Sequence, residues 1–481
     1  MHVQVGGRAI EAERESLAVY NPITEEVIDT VPRLTAADVD LAVTTAAEGQ
    51  RAWAGMPQME RSRILRRFAG IVQARRAELG ALLCSENGKR VAEAEEEFDT
   101  VCALVESYCD RAGHLYGACL PNGTDETNCH TDLLFTRREP LGVIACLLPF
   151  NFPIELCAHK IVPALVAGNA VVIKPPSDCP LAIIRLIDCL HEAGVPAKAA
   201  QVVTGSGAEV GSALVAHPGI QALTMTGGTE TGIQIARQAC NNLTRTFLEL
   251  GGNDAFLVLE DADLDLAVQN ALESRVSNAG QVCCASKRYL VHESVAQAFT
   301  EKLIAALRVL KIGDPMDRSM DVGSMISRRA ADEVAQQIAD TVKLGARCVF
   351  GGERIGASFL RPAVLTGVTS EMPIAQDMEV FGAVFPIITF RTTEEAIQLA
   401  NRCSYGLNGA VFCRDTLRAL SIAERLQTGG VVINGGGNYR TAAMPFGGYK
   451  KSGIGREGSA VTLEEMTQVK TYVLKGAFGA L

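Results

Sequence analysis

Residues 142–176, "GVIACLLPFNFPIELCAHKIVPALVAGNAVVIKPP", begin and end with short apolar runs, "VIACLLP" at 143–149 and "AVVIKP" at 170–175. Apolar runs of that length, bounded by Gly and Pro, read as buried strands. The rhythm continues in "QVVTG" (201–205), "ALTMTG" (222–227) and "TFLEL" (246–250). Helical segments, "PLAIIRLIDCLHEAG" (180–194) and "TETGIQIARQAC" (229–240), lie between them. Strand–helix alternation predicts a mostly parallel, doubly wound sheet. After "LELGGND" it resumes with "AFLVLE" (255–260), "RYLVHE" (288–293) and "GGVVINGGG" (429–437), which predicts a second α/β domain.

Upstream, three stretches carry helical periodicity: 35–54, 60–89 and 92–117. The first opens with Thr35 and Asp38 in a capping-box arrangement. Residues 120–142 are polar, turn-rich and extended, an excursion from the core. The chain has 481 residues, 48% hydrophobic and 21% charged, the composition of a globular protein of two or three domains. Its net charge of -10 gives no support to nucleic-acid binding. Fifteen cysteines are scattered without disulfide-like spacing, which predicts reduced thiols in a cytoplasmic enzyme. "MHVQVGGRAIEAERES" shows no signal peptide. The longest nearly apolar run, "IVPALVAGNAVVI", falls short of the ~18 residues of a membrane helix, so no membrane partner is expected.

Ligands of a doubly wound sheet sit beyond the carboxyl ends of its strands. "TGSGAEVG" (204–211) and "TGGTETG" (226–232) follow predicted strands there. Neither is a full GxGxxG, and tight strand–helix turns use the same residues. Gly227 and Gly228 open a helix, where bare amides and the helix dipole suit a pyrophosphate. Lys174 at a strand end either reaches a ligand or meets water. "SNAGQVCCASKR" (277–288) sets Cys283 beside Cys284 in a glycine-containing bend. A reactive thiol needs a route to thiolate, a place for the oxyanion and often a base. Asn151 in "LPFNFP" offers a side-chain amide, or simply forms a turn. Glu249 in "FLELGGN" is a carboxylate at the end of an apolar strand, placed to have a raised pKa and act as a base, or else exposed. Glu379 in "DMEVFGAVFP" stands before another such strand.

Seven blocks occur in order: "PFNFP", "KPP", "TGGTETG", "LELGGN", "GQVCCASKR", "EVFGAVFP" and "PFGGYKKSGIGREG". The set resembles the NAD(P)-dependent aldehyde dehydrogenase superfamily from about Tyr20 to Lys470, and Glu249 and Cys283 keep the family's 34-residue spacing. The resemblance implies a Rossmann-like cofactor domain (1–116 and 141–251), an α/β catalytic domain (252–450) and a small β arm (117–140 and 451–481) that builds a homodimer or homotetramer. It makes Cys283 the nucleophile and Cys284 a packing neighbour. Asn151 and the Cys283 amide become the oxyanion site, and Glu249 the base that hydrolyses the thioester. Lys174 and Glu379 hold the riboses of NAD or NADP, and Phe381 packs near the nicotinamide. No metal is implied.

The departures are informative. Ser177 stands where many NAD-preferring members carry glutamate, which admits NADP. Gly228 replaces a serine of the usual turn, and Phe150 replaces a tryptophan before the asparagine. Val282 precedes the nucleophile where phosphate-recognising members place arginine. His159 occupies the place of an arginine in semialdehyde-oxidising relatives, and Arg440 lies on the loop that closes the substrate tunnel. "YRTAAMPFGG" resembles lactaldehyde-type and phosphonate- or sulfonate-aldehyde branches. The expected substrate is a small hydroxylated or anionic aldehyde, contacted by Arg440, with His159 assisting while its imidazole is charged. A coenzyme A-acylating enzyme is disfavoured by Glu249. A catalytically silent binding protein is disfavoured by Cys283, Glu249 and Asn151 together.

Overall fold

The computed structural model describes residues 1–10, 15–121 and 130–479. After two N-terminal hairpins come α1 (Ala36–Gly55), α2 (Gln58–Ala74), α3 (Arg76–Asn87) and α4 (Val91–Ala112). At the start of α1 the Thr35 amide donates to Asp38 Oδ2 at 2.8 Å, as the capping box requires. The stretch 60–89 is two helices rather than one. Arg75 leaves helical geometry (φ -105, ψ 10), and α3 turns to pack on α4. Neither Gly nor Pro marks that bend.

The run 142–176 folds as strand Val143–Leu147, α5 (Pro153–Val166) and strand Ala170–Lys174. Every residue of both strands is buried, as expected for a parallel sheet covered on both faces. Next come α6 (Leu181–Glu192), strand Ala200–Val202, α7 (Ser212–Ala216), strand Ala222–Thr226, α8 (Thr229–Ala239) and strand Arg245–Glu249. Among the described residues these strands make a six-stranded sheet, with Gly453–Ile454 antiparallel on its edge. The chain works outward from Val143–Leu147 through 170–174 to 200–202, then crosses to 222–226 and 245–249 on the other side. That reversal opens a crevice at the carboxyl ends of Val143–Leu147 and Ala222–Thr226, the usual ligand position of an open α/β sheet.

The second sheet has seven strands among the described residues. Parallel strands 254–258, 286–292, 384–390 and 409–412 form its middle. Each sheet has its own apolar core, one built around Val143–Leu147 and one around Asp254–Val258. The predicted run 429–437 keeps only Val432–Ile433 as strand, because its glycines supply no side chains to pack.

The polar excursion and the C-terminus meet. Thr467–Leu474 pairs antiparallel with Leu133–Pro140, and Cys119–Leu120 adds a third strand. Residues 122–129 of the expected arm lie outside the described residues. Residues 453–466, which the expected boundaries give to the arm, lie elsewhere. Gly453–Ile454 joins the first sheet, and the helix Ser459–Glu465 packs on α4 and α5. Among the described residues no helix is long and apolar enough to cross a membrane.

Candidate active site

The cysteine pair follows a strained bend. After the helix Leu264–Val276 come Asn278 (φ 49), Ala279 (φ 54) and Gly280 (φ 81), all left-handed. For the two non-glycine residues this costs about 1–2 kcal/mol each. At Gly280 a side chain would run into the backbone of Gly382 and Ala383. Hydrogen bonds hold the bend. The Asn278 amide donates to Glu93 Oε1 at 3.0 Å, and its side chain to the Asn151 carbonyl at 2.8 Å. Gln281 donates back to the Asn278 carbonyl at 3.0 Å and accepts from the Ile326 amide at 2.9 Å.

The structure places the two sulfurs differently. Cys284 is buried in a small apolar cluster with Val282, Ala285, Leu407 and Phe446, whereas Cys283 is half-buried and packs on the edge of that cluster. The Cys284 thiol and burial push the Cys283 thiol well above its ordinary value. Lys287 donates to the Cys283 carbonyl, pairs with Glu379 at 3.1 Å and sits 5.7 Å from the Phe381 ring centroid. Phe381 meets Phe150 edge to face at 5.9 Å. Glu379, Phe381, Phe150 and the Cys283 loop are thus one contiguous group, tied by a lysine that the sequence reading passed over within "CCASKR".

Asn151 is buried in the turn between Val143–Leu147 and α5. One hydrogen of its side-chain amide goes to the Gln281 carbonyl at 3.1 Å. A primary amide has two. Glu249 ends its strand buried, with Oε2 lacking a hydrogen-bond partner among the described residues. A Cβ on Gly447 would stand 2.8 Å from the Gly455 carbonyl oxygen and 2.6 Å from Glu249 Oε1, and its φ of +156 also favours glycine, so a side chain there would crowd the carboxyl. Burial first, then the charge of Glu457, push the Glu249 carboxyl well above the usual range, and Arg440 and Lys160 oppose the shift. Charge on Cys283 raises it further, so thiol and carboxyl sense one another.

Arg440 and His159 belong to a buried network. Glu457 accepts from Lys160 at 2.9 Å through one oxygen and from Arg440 Nη2 at 2.7 Å through the other. Lys160 also donates to Thr226 Oγ1 at 2.7 Å. The Arg440 guanidinium lies 4.2 Å from the centroid of Phe446, a member of the cluster beside Cys283. Its Nε is buried without a partner among the described residues. His159 is 2% exposed, 3.5 Å from the Tyr108 hydroxyl and 3.9 Å from Glu155. Burial and Arg440 drive its pKa well below the ordinary value. The imidazole is therefore neutral at working pH, which corrects the expectation of a charged helper. Glu457 and Lys160 were missed as well, although a lysine within an apolar helix and a glutamate among the glycines of "SGIGREG" were legible signals.

Two cavities have residues from the ends of the first sheet's strands in their walls, one reaching Gly207 and the other Ser206, the latter lined mainly by the hairpin at 17–33 and by 326–328. One, of about 430 Å³, is lined among others by Leu147, Lys174, Gly207, Gly211, Thr226 and Ile235. The other, of about 680 Å³, carries Ser177, Asp178, Arg33 and Ser206. Ser177 Oγ lies 3.4 Å from the Gly205 carbonyl. Burial lowers the Lys174 pKa, and its ammonium donates to the Pro175 carbonyl at 3.1 Å. Gly228 caps α8 without any side-chain cap, and a Cβ at Gly207 or Gly228 would meet nothing within 4 Å. The Gly227 amide does not point into the space. It donates to the Glu249 carbonyl at 3.0 Å, so Gly227 is tied to the strand that bears Glu249 instead of facing a phosphate. The buried cation, the open glycines and the uncapped helix start suit a dinucleotide lying across the crevice.

The model of the "Aldehyde dehydrogenase family" matches residues 9–472. The chain is 36% identical to 3-sulfolactaldehyde dehydrogenase of Pseudomonas putida over 469 residues, 96% of this chain and 94% of that protein. It is 35% identical to succinate-semialdehyde dehydrogenase [NADP(+)] of Escherichia coli over 469 residues, 97% and 96% of the two chains. The crystal structure of succinate-semialdehyde dehydrogenase from Burkholderia pseudomallei superposes with TM-score 0.95 at 34% identity, covering 98% of this chain and 97% of that one. Two α/β sheets, a half-buried cysteine on a strained bend and a family match along nearly the whole length converge: the chain belongs to the aldehyde dehydrogenase family and is an oxidoreductase.

Proposed function

We propose that the chain oxidises a small hydroxylated or anionic aldehyde to its carboxylic acid, with NAD or NADP, through a thiohemiacetal and a thioester on Cys283. The observation that carries this reading is Glu249, a buried carboxyl with an unpartnered oxygen and a raised pKa that senses charge on Cys283. A carboxyl held above its usual range is a stronger base once ionised, and taking a proton from water is what thioester hydrolysis needs.

Burial and Cys284 keep the proton on the resting Cys283 sulfur, so a base takes it first; the thiolate then adds to the aldehyde carbon, and the carbonyl π pair moves to oxygen. The Asn151 side-chain amide and the Cys283 backbone amide donate to that oxyanion. When bound, NAD(P) supplies the hydride acceptor that leaves a thioester on Cys283. Lys174 and Glu379 are assigned to its two riboses. Glu249 takes a proton from water as the oxygen adds to the thioester carbon. The C–S bond then breaks, which frees the acid and returns the Cys283 thiolate. Ser177 in place of a carboxylate removes a repulsion toward a 2′-phosphate, so NADP is admitted, as the name of the Escherichia coli relative records for that enzyme. The two relatives act, by name, on 3-sulfolactaldehyde and succinate semialdehyde, both small anionic aldehydes, and this favours the same class here.

The test follows absorbance of the reduced cofactor with and without coenzyme A. The expected result is an unaided signal that coenzyme A does not increase. Cys283→Ala abolishes it, Cys284→Ala keeps most of it, and Glu249→Gln slows turnover after the first thioester forms. Dependence on coenzyme A would replace the hydrolytic reading by the acylating one. Equal loss at both cysteines would show that the wrong sulfur was chosen or that the pair was misread.

A further inference from the structure

Lys89 is fully buried in the linker between α3 and α4. It pairs with Glu97, 2% exposed, and donates to the Asn151 carbonyl at 2.6 Å. Its ammonium also sits 4.1 Å from the Phe152 ring centroid. The other oxygen of Glu97 accepts from the amides of Ile154 and Glu155 at 2.9 and 3.0 Å. These are first-turn amides of α5, whose own cap residue, Phe152, supplies no side-chain bond. Asn87 donates to the Phe150 carbonyl at 2.6 Å. One helical turn from Glu97, on the same face of α4, Glu93 accepts from the Asn278 amide at 3.0 Å. Asn278 in turn shares the Asn151 carbonyl with Lys89.

We infer that Lys89, Glu93 and Glu97 are positioning residues, a buried bracket that sets the distance between the Asn151 side-chain amide and the Cys283 loop. The inference rests on the oxyanion reading of Asn151 given above. The turn that bears Asn151 leaves the first sheet, and the bend that bears Cys283 enters the second. Among the described residues no backbone ladder of either sheet fixes one against the other, and the direct bond from the Asn151 side chain to the Gln281 carbonyl ties them at one point only if both segments are held. The bracket reaches both from a third element, and the Asn151 carbonyl is where its two sides meet. A buried ion pair rarely adds more stability than an apolar pair of the same volume. An oxyanion donor, however, must be held within roughly 0.5 Å, and charged hydrogen bonds in a dry site are stiff enough to do so.

The experiment is a double-mutant cycle on the full-length protein. The double variant Lys89→Met/Glu97→Gln leaves no lone buried charge. It is expected to lower kcat/KM roughly ten- to a hundredfold in the wild-type background. In an Asn151→Ala background the further loss should be about twofold or less, because the bracket acts through Asn151. Thermal midpoint and the NAD(P) dissociation constant, read by equilibrium fluorescence, stay near wild type. Equal loss in both backgrounds, or cofactor affinity falling in step with activity, overturns the proposal and leaves the bracket a folding element. An Asn151→Ala variant with wild-type kcat/KM removes the oxyanion reading itself, and the bracket with it. If the double variant does not fold, Glu93→Gln leaves the Lys89–Glu97 pair intact and is read in the same cycle against the same outcomes.

Discussion

Arg440 has two neighbours that matter, Phe446 beneath its guanidinium and Glu457 at its tip, and they give its removal two separable effects. The guanidinium lies against Phe446, part of the cluster that flanks Cys283, with Nε unpartnered among the described residues, and its planar fork fits carboxylate or sulfonate oxygens. A lost charge-assisted hydrogen bond costs roughly 1.5–3 kcal/mol, about ten- to a hundredfold in efficiency. Arg440→Ala should therefore lower kcat/KM by about that factor for succinate semialdehyde and leave propanal nearly unchanged. Arg440 also holds the Glu249 pKa down, against burial and Glu457. Without it the carboxyl gains its proton at higher pH, so the acid limb of kcat moves to higher pH for both aldehydes. Equal loss of kcat/KM for the two substrates above that limb would withdraw Arg440 from substrate contact. His159, its pKa pushed well below the ordinary value by burial and Arg440, adds little charge to this balance.

At the scale of elements, α6 shows what the sequence does and does not disclose. Its helix was legible in "PLAIIRLIDCLHEAG", but its cap was not. Pro180 caps nothing, and the amides of Leu181 and Ala182 donate at 2.8 and 2.7 Å to Glu86, which arrives from the end of α3. A contact made between positions 86 and 181 has no local signature. The same holds for the bend before Cys283: strand–helix alternation and apolar runs are local properties, whereas three left-handed residues held by Glu93 and Asn151 depend on what folds around them. Asn151, Glu249 and Cys283 were legible as residue types within ordered motifs, and Lys160 and Glu457 as charges in apolar or glycine-rich settings, but the contacts that join Lys89, Glu93 and Glu97 to these segments were not. Glu86 carries its own consequence. Burial, opposed by the two amides, pushes its carboxyl up to about 8. The folded state then binds this proton more tightly than the unfolded chain. The stability this confers is fully present below the ordinary carboxylate pKa and is lost as pH rises through about 8. The slope is roughly 1.4 kcal/mol per pH unit over that window. The thermal midpoint should fall between about pH 5 and 8, and Glu86→Gln, which cannot ionise, should flatten that fall. Parallel slopes for the two proteins would mean that Glu86 ionises as an ordinary carboxylate.

For the whole molecule the open question is the arm. Thr467–Leu474 pairs along one side with Leu133–Pro140 and forms the edge of its sheet among the described residues. Phe135 and Tyr472 stack across that pairing at 5.0 Å, so the ribbon has one firm side. The strand itself is mostly exposed, with Val469 58%, Val473 51% and Leu474 49% accessible. A long edge strand bearing β-branched apolar residues templates further pairing unless charge or a partner blocks it. Lys470 supplies only part of that blocking, since it leans toward Glu139 at 3.6 Å. A second copy of the chain, seated on this edge, would cover both the unpaired backbone and the valines, and it fits the homodimer or homotetramer expected from the resemblance. Closed symmetric assembly also keeps such an edge from propagating. Val469→Lys with Val473→Lys places two like charges on the strand and should shift the protein to monomer in light scattering at micromolar concentration. The thermal midpoint is expected to drop only modestly, because neither residue belongs to the buried cores. A wild-type protein already monomeric, or a variant whose assembly is unchanged, would place the interface on another face.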